Sequence, residues 1–266
     1  RSAFRSPSSA QVLYRGTFFF HSMGGGQEHS FLTDVRLLGR SVELAACKKG
    51  ETVFVVGGSD GQVASALSDC SSSIIAVEPD EQLASYLYSL ELYRTMIIHA
   101  PAHAVLADAP FDELLCVQPF HVDERFMESL LGVSFSSGVV MMPDEVFSLF
   151  RSRGRLGTLL RASFDAAVVR SVPKNAFSPS LPFSASLVSL SPSSRVDGVS
   201  QSLRLLLQEA GTMRGLLTRS CRQFFGYTLA EAQDAVRMLD QSLLKKRFWE
   251  IDESEFKDVY EWLKLG

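Results

Sequence analysis

Apolar and polar positions along the chain fall into two periods. Short, nearly continuous apolar runs stand at 52–56 (TVFVV), 73–77 (SIIAV), 96–98 (MII), 114–117 (LLCV) and 139–142 (VVMM). Such runs, rich in β-branched residues, predict strands covered on both faces in a parallel sheet. Between them, 62–67 and 81–92 carry helical spacing. Upstream, Leu32, Val35, Leu37, Leu38, Val42 and Leu44 spread over a helix expected to end near Lys48, Lys49 and Gly50. Two lysines in a last turn followed by glycine form a stop signal. Strands alternating with helices predict a doubly wound α/β sheet. After the polar stretch 193–200 the pattern turns helical, and 201–225, 228–246 and 252–263 read as helices. Asp252 and Glu255 form a capping pair for the last of them. The expected organisation is an N-terminal arm (1–25), an α/β domain (26–192) and a small helical domain (193–266).

Composition narrows the class. With 266 residues, 46% of them hydrophobic, the chain can bury a full core, which excludes global disorder. The net charge of −4 argues against a surface that grips nucleic acid all round, while leaving room for a local basic patch. Cys47, Cys70, Cys116 and Cys221 lack C-x-x-C spacing, so neither a zinc site nor a disulfide framework is expected. His99, His103 and His121 come from unlike segments, and no metal is expected there. No apolar run reaches membrane-spanning length. Arg1, Arg5 and Arg15 precede the first acid, Glu28, in a serine-containing leader. That composition fits a transit-peptide remnant or an ordinary basic tail.

Two segments carry candidate chemistry. Gly57, Gly58, Ser59, Asp60 and Gly61 follow the first strand and open a helix, and Glu78 ends the next strand. Glycines allow a sharp turn and close approach of backbone to ligand, and an acid roughly 20 residues on is placed to bind ribose hydroxyls. Alone, this pattern is equally a βα turn with no ligand. The segment VPKNAFSPSLP at 172–182 precedes FSASLVSL at 183–190, an alternating strand. Pro173, Pro179 and Pro182 remove backbone donors, so a stiff loop feeding a sheet edge is expected.

The loop and strand at 172–190 resemble the "VPPxAFxPxPxVxSxVxxL" segment of the KsgA/Dim1 family of rRNA adenine dimethyltransferases, which includes the mitochondrial transcription factor B proteins. Gly26 and Gln27 with FLTD at 31–34 are similar to its "G-Q-x-F-L-x-D" element, and RFWEIDESEF at 247–256 to its "R-x-E-x-L-S-x-E-E-F" helix. The resemblance covers roughly 26–263. It implies a Rossmann-like S-adenosylmethionine-dependent methyltransferase fold with a small C-terminal α-helical domain.

The resemblance also locates losses. Against the family's "E-I-G-P-G-x-G" loop stand Gly57, Gly58, Ser59 and Gly61, with Val55 where the acid should be and Ser59 where a glycine should be. Glu78 matches the ribose-binding acid. Pro101 stands where the Asp of "G-D-A" would bind the adenine amine. Adenine N6 is a weak nucleophile, and an enzyme that methylates it must accept its hydrogen bonds while holding the base outside its stack. The family uses "N-L-P-Y"; here Val117, Gln118, Pro119 and Phe120 stand there. Pro119 and Phe120 keep the turn and the ring, but Val117 accepts nothing, a loss of about 3 kcal/mol, or a hundredfold in rate. Gln118 substitutes only if the register slips by one. In the helical part, Arg204, Arg214, Arg219 and Arg222 stand against the single acid Glu209 within 201–222. Arg214 and Arg219 match basic positions of the family's rRNA-contacting helix. Arg204, Arg219 and Arg222 are expected on one helical face.

The implied function is that of a degenerate dimethyltransferase-like protein, with no catalytic residues and no cofactor unless the vestigial site still takes S-adenosylmethionine. Implied partners are rRNA and mitochondrial ribosomal proteins in a larger assembly, in the mitochondrial matrix. The alternatives are an active rRNA adenine N6-dimethyltransferase and a scaffold that binds only proteins.

Overall fold

The computed structural model describes residues 30–45, 50–57, 61–68 and 73–265. The N-terminal arm, Gly26, Gln27, Cys47, Lys48, Lys49, Gly58, Ser59, Asp60 and Cys70 lie outside the described residues. The described elements run β1 (Phe31–Leu32), α1 (Val35–Leu44), β2 (Thr52–Val56), α2 (Gln62–Ser68), β3 (Ser73–Glu78), α3 (Glu81–Ser89), β4 (Thr95–His99), α4 (Ala102–Val105) and β5 (Glu113–Cys116). There follow α5 (Glu124–Leu130), β6 (Ser137–Pro143), α6 (Asp144–Ser148), α7 (Arg155–Ser163), β7 (Phe164–Val172), β8 (Phe177–Ser178) and β9 (Ala185–Pro192). The chain closes with α8 (Gly198–Gln208), α9 (Met213–Phe224), α10 (Leu229–Val236) and α11 (Glu253–Leu263).

Seven strands form one sheet in the order β4-β3-β2-β5-β6-β9-β7. The first five are parallel, and β9 runs antiparallel between β6 and β7. The five predicted strands are all present. Because successive residues of a strand point to opposite faces, the apolar runs feed two cores. Phe54, Val56, Ile75, Val77, Leu114 and Cys116 face one; Val53, Val55, Ile74, Ala76, Leu115 and Val117 face the other. Burial on both faces is why the runs of β2, β3, β5 and β6 do not alternate; β4 instead forms an edge, with Met96 54% exposed.

One expectation is corrected at the sheet. The strand after the proline loop is not at the edge: β9 pairs with β6 on one side and β7 on the other. The edge belongs to β7, whose middle is exposed and whose register shifts between Val168 and Arg170, a blunted edge. The loop itself adds only β8, which pairs with β1, so that Phe177, Leu181 and Leu32 close the second core over α1.

The helical region is also broken more finely than the pattern suggested. The expected helix at 201–225 is two helices, since Glu209 turns extended (ψ 137°) and Thr212 starts α9 in an extended conformation (ψ 153°). The expected helix at 228–246 ends at Val236, and 243–245 is a 3-10 turn. α11 has its capping box, Asp252 accepting from the Glu255 N–H at 2.9 Å and Glu255 accepting from the Asp252 N–H at 2.9 Å. Leu203, Leu206, Leu217, Val236, Phe256 and Val259 belong to the same apolar cluster as the sheet's first face. A single core therefore runs across residue 193. Arg155 ties it: its guanidinium donates to the Ile251 and Phe248 carbonyls at 2.7 and 3.2 Å and lies over the Phe248 and Phe256 rings.

Candidate functional site

In a sheet of this kind ligands bind beyond the C-terminal strand ends, where the strand order reverses. Here the reversal lies between β2, followed in the sheet by β3, and β5 on its other side. A cavity of about 840 Å³ opens there, walled by Phe31 from β1, Glu78 at the end of β3 with Pro79 and Asp80 beyond it, His99 at the end of β4, and Gln118, Phe120 and His121 beyond β5.

The floor is set by the parallel ladder. The Gly57 N–H donates to the Val77 carbonyl at 3.1 Å, continuing β2 one residue past its end. Gly57 then turns with φ +74°, a conformation that favours glycine. A Cβ at Gly57 would lie 2.3 and 2.4 Å from Cγ and Cβ of Gln118. The aliphatic stem of Gln118 therefore rests directly on the glycine turn. Gly61 also has positive φ, +83°, and opens α2 beneath Leu90.

Glu78 is almost wholly buried, 1% exposed, and still lines the cavity. Its Oε1 accepts the Asp80 N–H at 3.2 Å, which fixes the carboxylate at the strand end. His99 Nε2 lies 3.2 Å from the Pro79 carbonyl, the separation of a hydrogen bond donated by the ring. Pro101, the expected loss, caps α4 without a side-chain hydrogen bond.

The loop after β5 differs from its neighbour. Val117 is 1% exposed and packs in the second core with Val55 and Leu115. The next residue, Gln118, is 6% exposed and lines the crevice. Pro119 is buried in a 3-10 turn, and Phe120 is 39% exposed with its ring edge-on to Phe183 at 5.1 Å. An aromatic wall therefore stands at the mouth. Cys116 is no nucleophile: burial pushes its thiol up to about 12. Among the described residues, no group of three or more His, Cys, Asp or Glu side chains is placed to hold a metal ion.

The candidate RNA-binding arginines divide. Arg204 is a structural residue. Its guanidinium donates to the carbonyls of Ala162, Ser193 and Arg195 (3.2, 3.1 and 2.5 Å), binding α8 to the joint that follows β9. Being on α8, it shares no helical face with the others, a correction caused by the break at 209–212. Arg214, Arg219 and Arg222 lie together on α9 and are exposed, Arg214 donating to Gln241 at 2.6 Å and Arg219 paired with Glu209. Pattern reading missed Arg155 and Arg204 as internal clasps, because spacing does not reveal which guanidinium meets carbonyls.

Parallel strands with a positive-φ glycine after β2, a buried acid at the end of β3 and an antiparallel strand inserted near the far edge define the class: a Rossmann-like fold, that of the S-adenosylmethionine-dependent methyltransferases. The solved dimethyladenosine transferase of Plasmodium falciparum superposes with TM-score 0.58 at 15% identity, covering 88% of this chain and 96% of that one. The solved 23S rRNA methyltransferase ErmE does so with TM-score 0.53 at 16% identity, covering 88% and 99%. Within that class, the chain is similar in sequence to proteins named as ribosomal RNA small subunit methyltransferase A, the KsgA/Dim1 proteins. The probable ribosomal RNA small subunit methyltransferase A of Pyrococcus furiosus is 24% identical over 251 residues, 90% of this chain and 91% of that protein. The ribosomal RNA small subunit methyltransferase A of Erythrobacter litoralis is 27% identical over 224 residues, 76% and 79% of the two chains. No family model matches the chain.

Proposed function

We propose that this protein is an rRNA dimethyladenosine transferase-like protein that no longer methylates, and that it docks on small-subunit rRNA as a mitochondrial assembly factor or ribosomal component. The observation that carries the reading is the placement of Val117. At the position of the family's amide acceptor stands an apolar side chain packed inside the core, out of reach of any substrate. Pro101 stands where the resemblance would place a second polar group. Relatives named as rRNA small-subunit methyltransferases, matched over nine-tenths of this chain, support rRNA as the docking partner. The exposed arginines of α9 are suited to phosphates, whose contribution is salt-dependent and independent of sequence.

Retention of the full chain on small-subunit rRNA across a salt gradient tests the docking, and sedimentation with mitochondrial ribosomal particles tests the setting. Retention that falls with salt, and co-sedimentation with the small subunit, are expected. Salt-independent failure to bind rRNA would favour a scaffold that binds only proteins.

A second reading, an active adenine N6-dimethyltransferase, is favoured by one observation: Gln118 brings a side-chain amide into the crevice one residue beyond the lost acceptor. On that reading Gln118→Ala abolishes a measurable methyl transfer.

A further inference from the structure

The sheet has two edges, and they are finished differently. β4 is five residues long, and its Ile97 carbonyl accepts the Tyr88 hydroxyl at 2.9 Å. β7 is nine residues long, and among the described residues no strand pairs with its outer edge. Residues 167–171 are all exposed. The Ser193 N–H donates to the Ser163 carbonyl at 2.8 Å. Bonded and non-bonded positions alternate along an antiparallel pair, so Asp165 and Ala167 also turn their peptide groups toward β9, and Ala166 and Val168 turn theirs outward. Residues opposite one another share a face. Ala166 and Val168 oppose Leu190 and Val188, on the face of the first core, while Asp165 and Arg170 oppose Ser191 and Leu187, on the face of the second. In a regular strand, positions 165 and 170 would point to opposite faces. The bulge at Val169 brings them onto the same one. The Asp165 carboxylate accepts the Ser194 N–H at 2.8 Å and has lone pairs to spare. Arg170 is exposed and, among the described residues, makes no ion pair.

We propose that β7 is a self-complementary docking edge, and that its occupant is β7 of a second copy of this chain. The two strands run antiparallel about a twofold axis at Ala167. Ala166 of each copy stands opposite Val168 of the other, with outward peptide groups that exchange both N–H···O bonds. Asp165 of each stands opposite Arg170 of the other, so opposite charges meet twice on one face and apolar side chains meet on the other. The contact is isologous, the same surface serving both copies. The neighbouring registers that keep the faces matched oppose Asp165 to Ala167 or Val172 and leave both charges without a partner. The bulge that blunts this edge against indiscriminate pairing thereby selects one register. The inference rests on the sheet alone and is independent of the rRNA and methyltransferase readings.

Sedimentation velocity of the full chain, from micromolar to hundred-micromolar concentration, tests this. A dimer fraction that rises with concentration is expected, weak because one strand pair is a small interface. Arg170→Asp sets like charges opposite each other at both ends and should weaken the dimer at least about tenfold. Asp165→Arg combined with Arg170→Asp restores opposite charges and should recover most of that loss. Ala167 lies on the axis at a non-hydrogen-bonded pair, where Cα atoms about 4.5 Å apart suit a disulfide. Under oxidation, Ala167→Cys should therefore yield more linked dimer than the wild-type chain or Ser171→Cys. A chain that stays monomeric throughout this range, or a dimer indifferent to Arg170→Asp, overturns the proposal. So does linkage through Ser171→Cys in preference to Ala167→Cys. If the charge-swapped double variant does not fold, Arg170→Asp and the two cysteine variants decide.

Discussion

The loops after β3 and β5 start from the same circumstances and end in opposite ones. Both follow buried parallel strands flanking β2, and both reach the same crevice. After β3, Glu78 remains in the crevice, its carboxylate fixed by the Asp80 N–H. After β5, Val117 turns into the core, and Gln118 crosses over to cover Gly57. Strands of this kind are held by apolar area on two faces, at roughly 25 cal/mol per Å² buried. Val117 adds to that area, while a polar residue there would subtract from it. The fold therefore tolerates, and is even stabilised by, an apolar side chain at this position. The carboxylate at the end of β3 contributes a hydrogen bond to the Asp80 N–H in place of apolar area.

Substitutions can break this contrast. Gly57→Ala is expected to have the largest effect, about 3 kcal/mol of lost stability, from positive φ together with collision against Gln118. Adding Gln118→Ala should recover only the collision part, and thermal unfolding of the double mutant measures the coupling. Val117→Asn restores the family's amide on paper. Placed in the core, it should cost about 2 kcal/mol in denaturant unfolding and restore no methyl transfer. Recovery of transfer by that one change would show the two loops to be less different than argued.

The arginines sharpen the same lesson in the helical region. Arg204→Ala should lose about 1.5 kcal/mol of stability, because its guanidinium holds three carbonyls, and leave the salt slope of rRNA retention unchanged. Arg222→Ala should do the reverse, with stability altered by a few tenths of a kcal/mol and the slope reduced by about one. The smallest effect concerns the joint between sheet and helices. The backbone N–H and hydroxyl of Ser194 hold the Asp165 carboxyl below its usual range, with Ser193 assisting. A depressed folded value adds stability above the unfolded value of about 3.9 and loses it as pH falls through the folded one. Asp165→Asn should therefore flatten the acid end of the stability profile.

Much of this was legible in the residues. Continuous apolar runs marked the parallel strands because two-sided burial demands them, and the Asp252–Glu255 pair marked α11 because its cap is local. Placing β9 inside the sheet needed knowledge of β7, whose exposed, mixed sequence has no clear period. The break at 209–212 was hidden because leucines on both sides keep helical spacing through it. At the crevice, Glu78 was readable from its distance to the glycine turn. The roles of Val117 and Gln118 were not, since which of two adjacent residues faces a cavity depends on where β5 stops twisting into the core.

Incubating the full chain with small-subunit rRNA and S-adenosylmethionine, and then assaying the RNA by mass spectrometry for N6-dimethyladenosine, most directly tests whether this scaffold has lost its reaction. RNA that is bound but unmodified is the predicted result. Dimethylated adenines formed in proportion to the protein, and lost with Glu78→Ala, would contradict it.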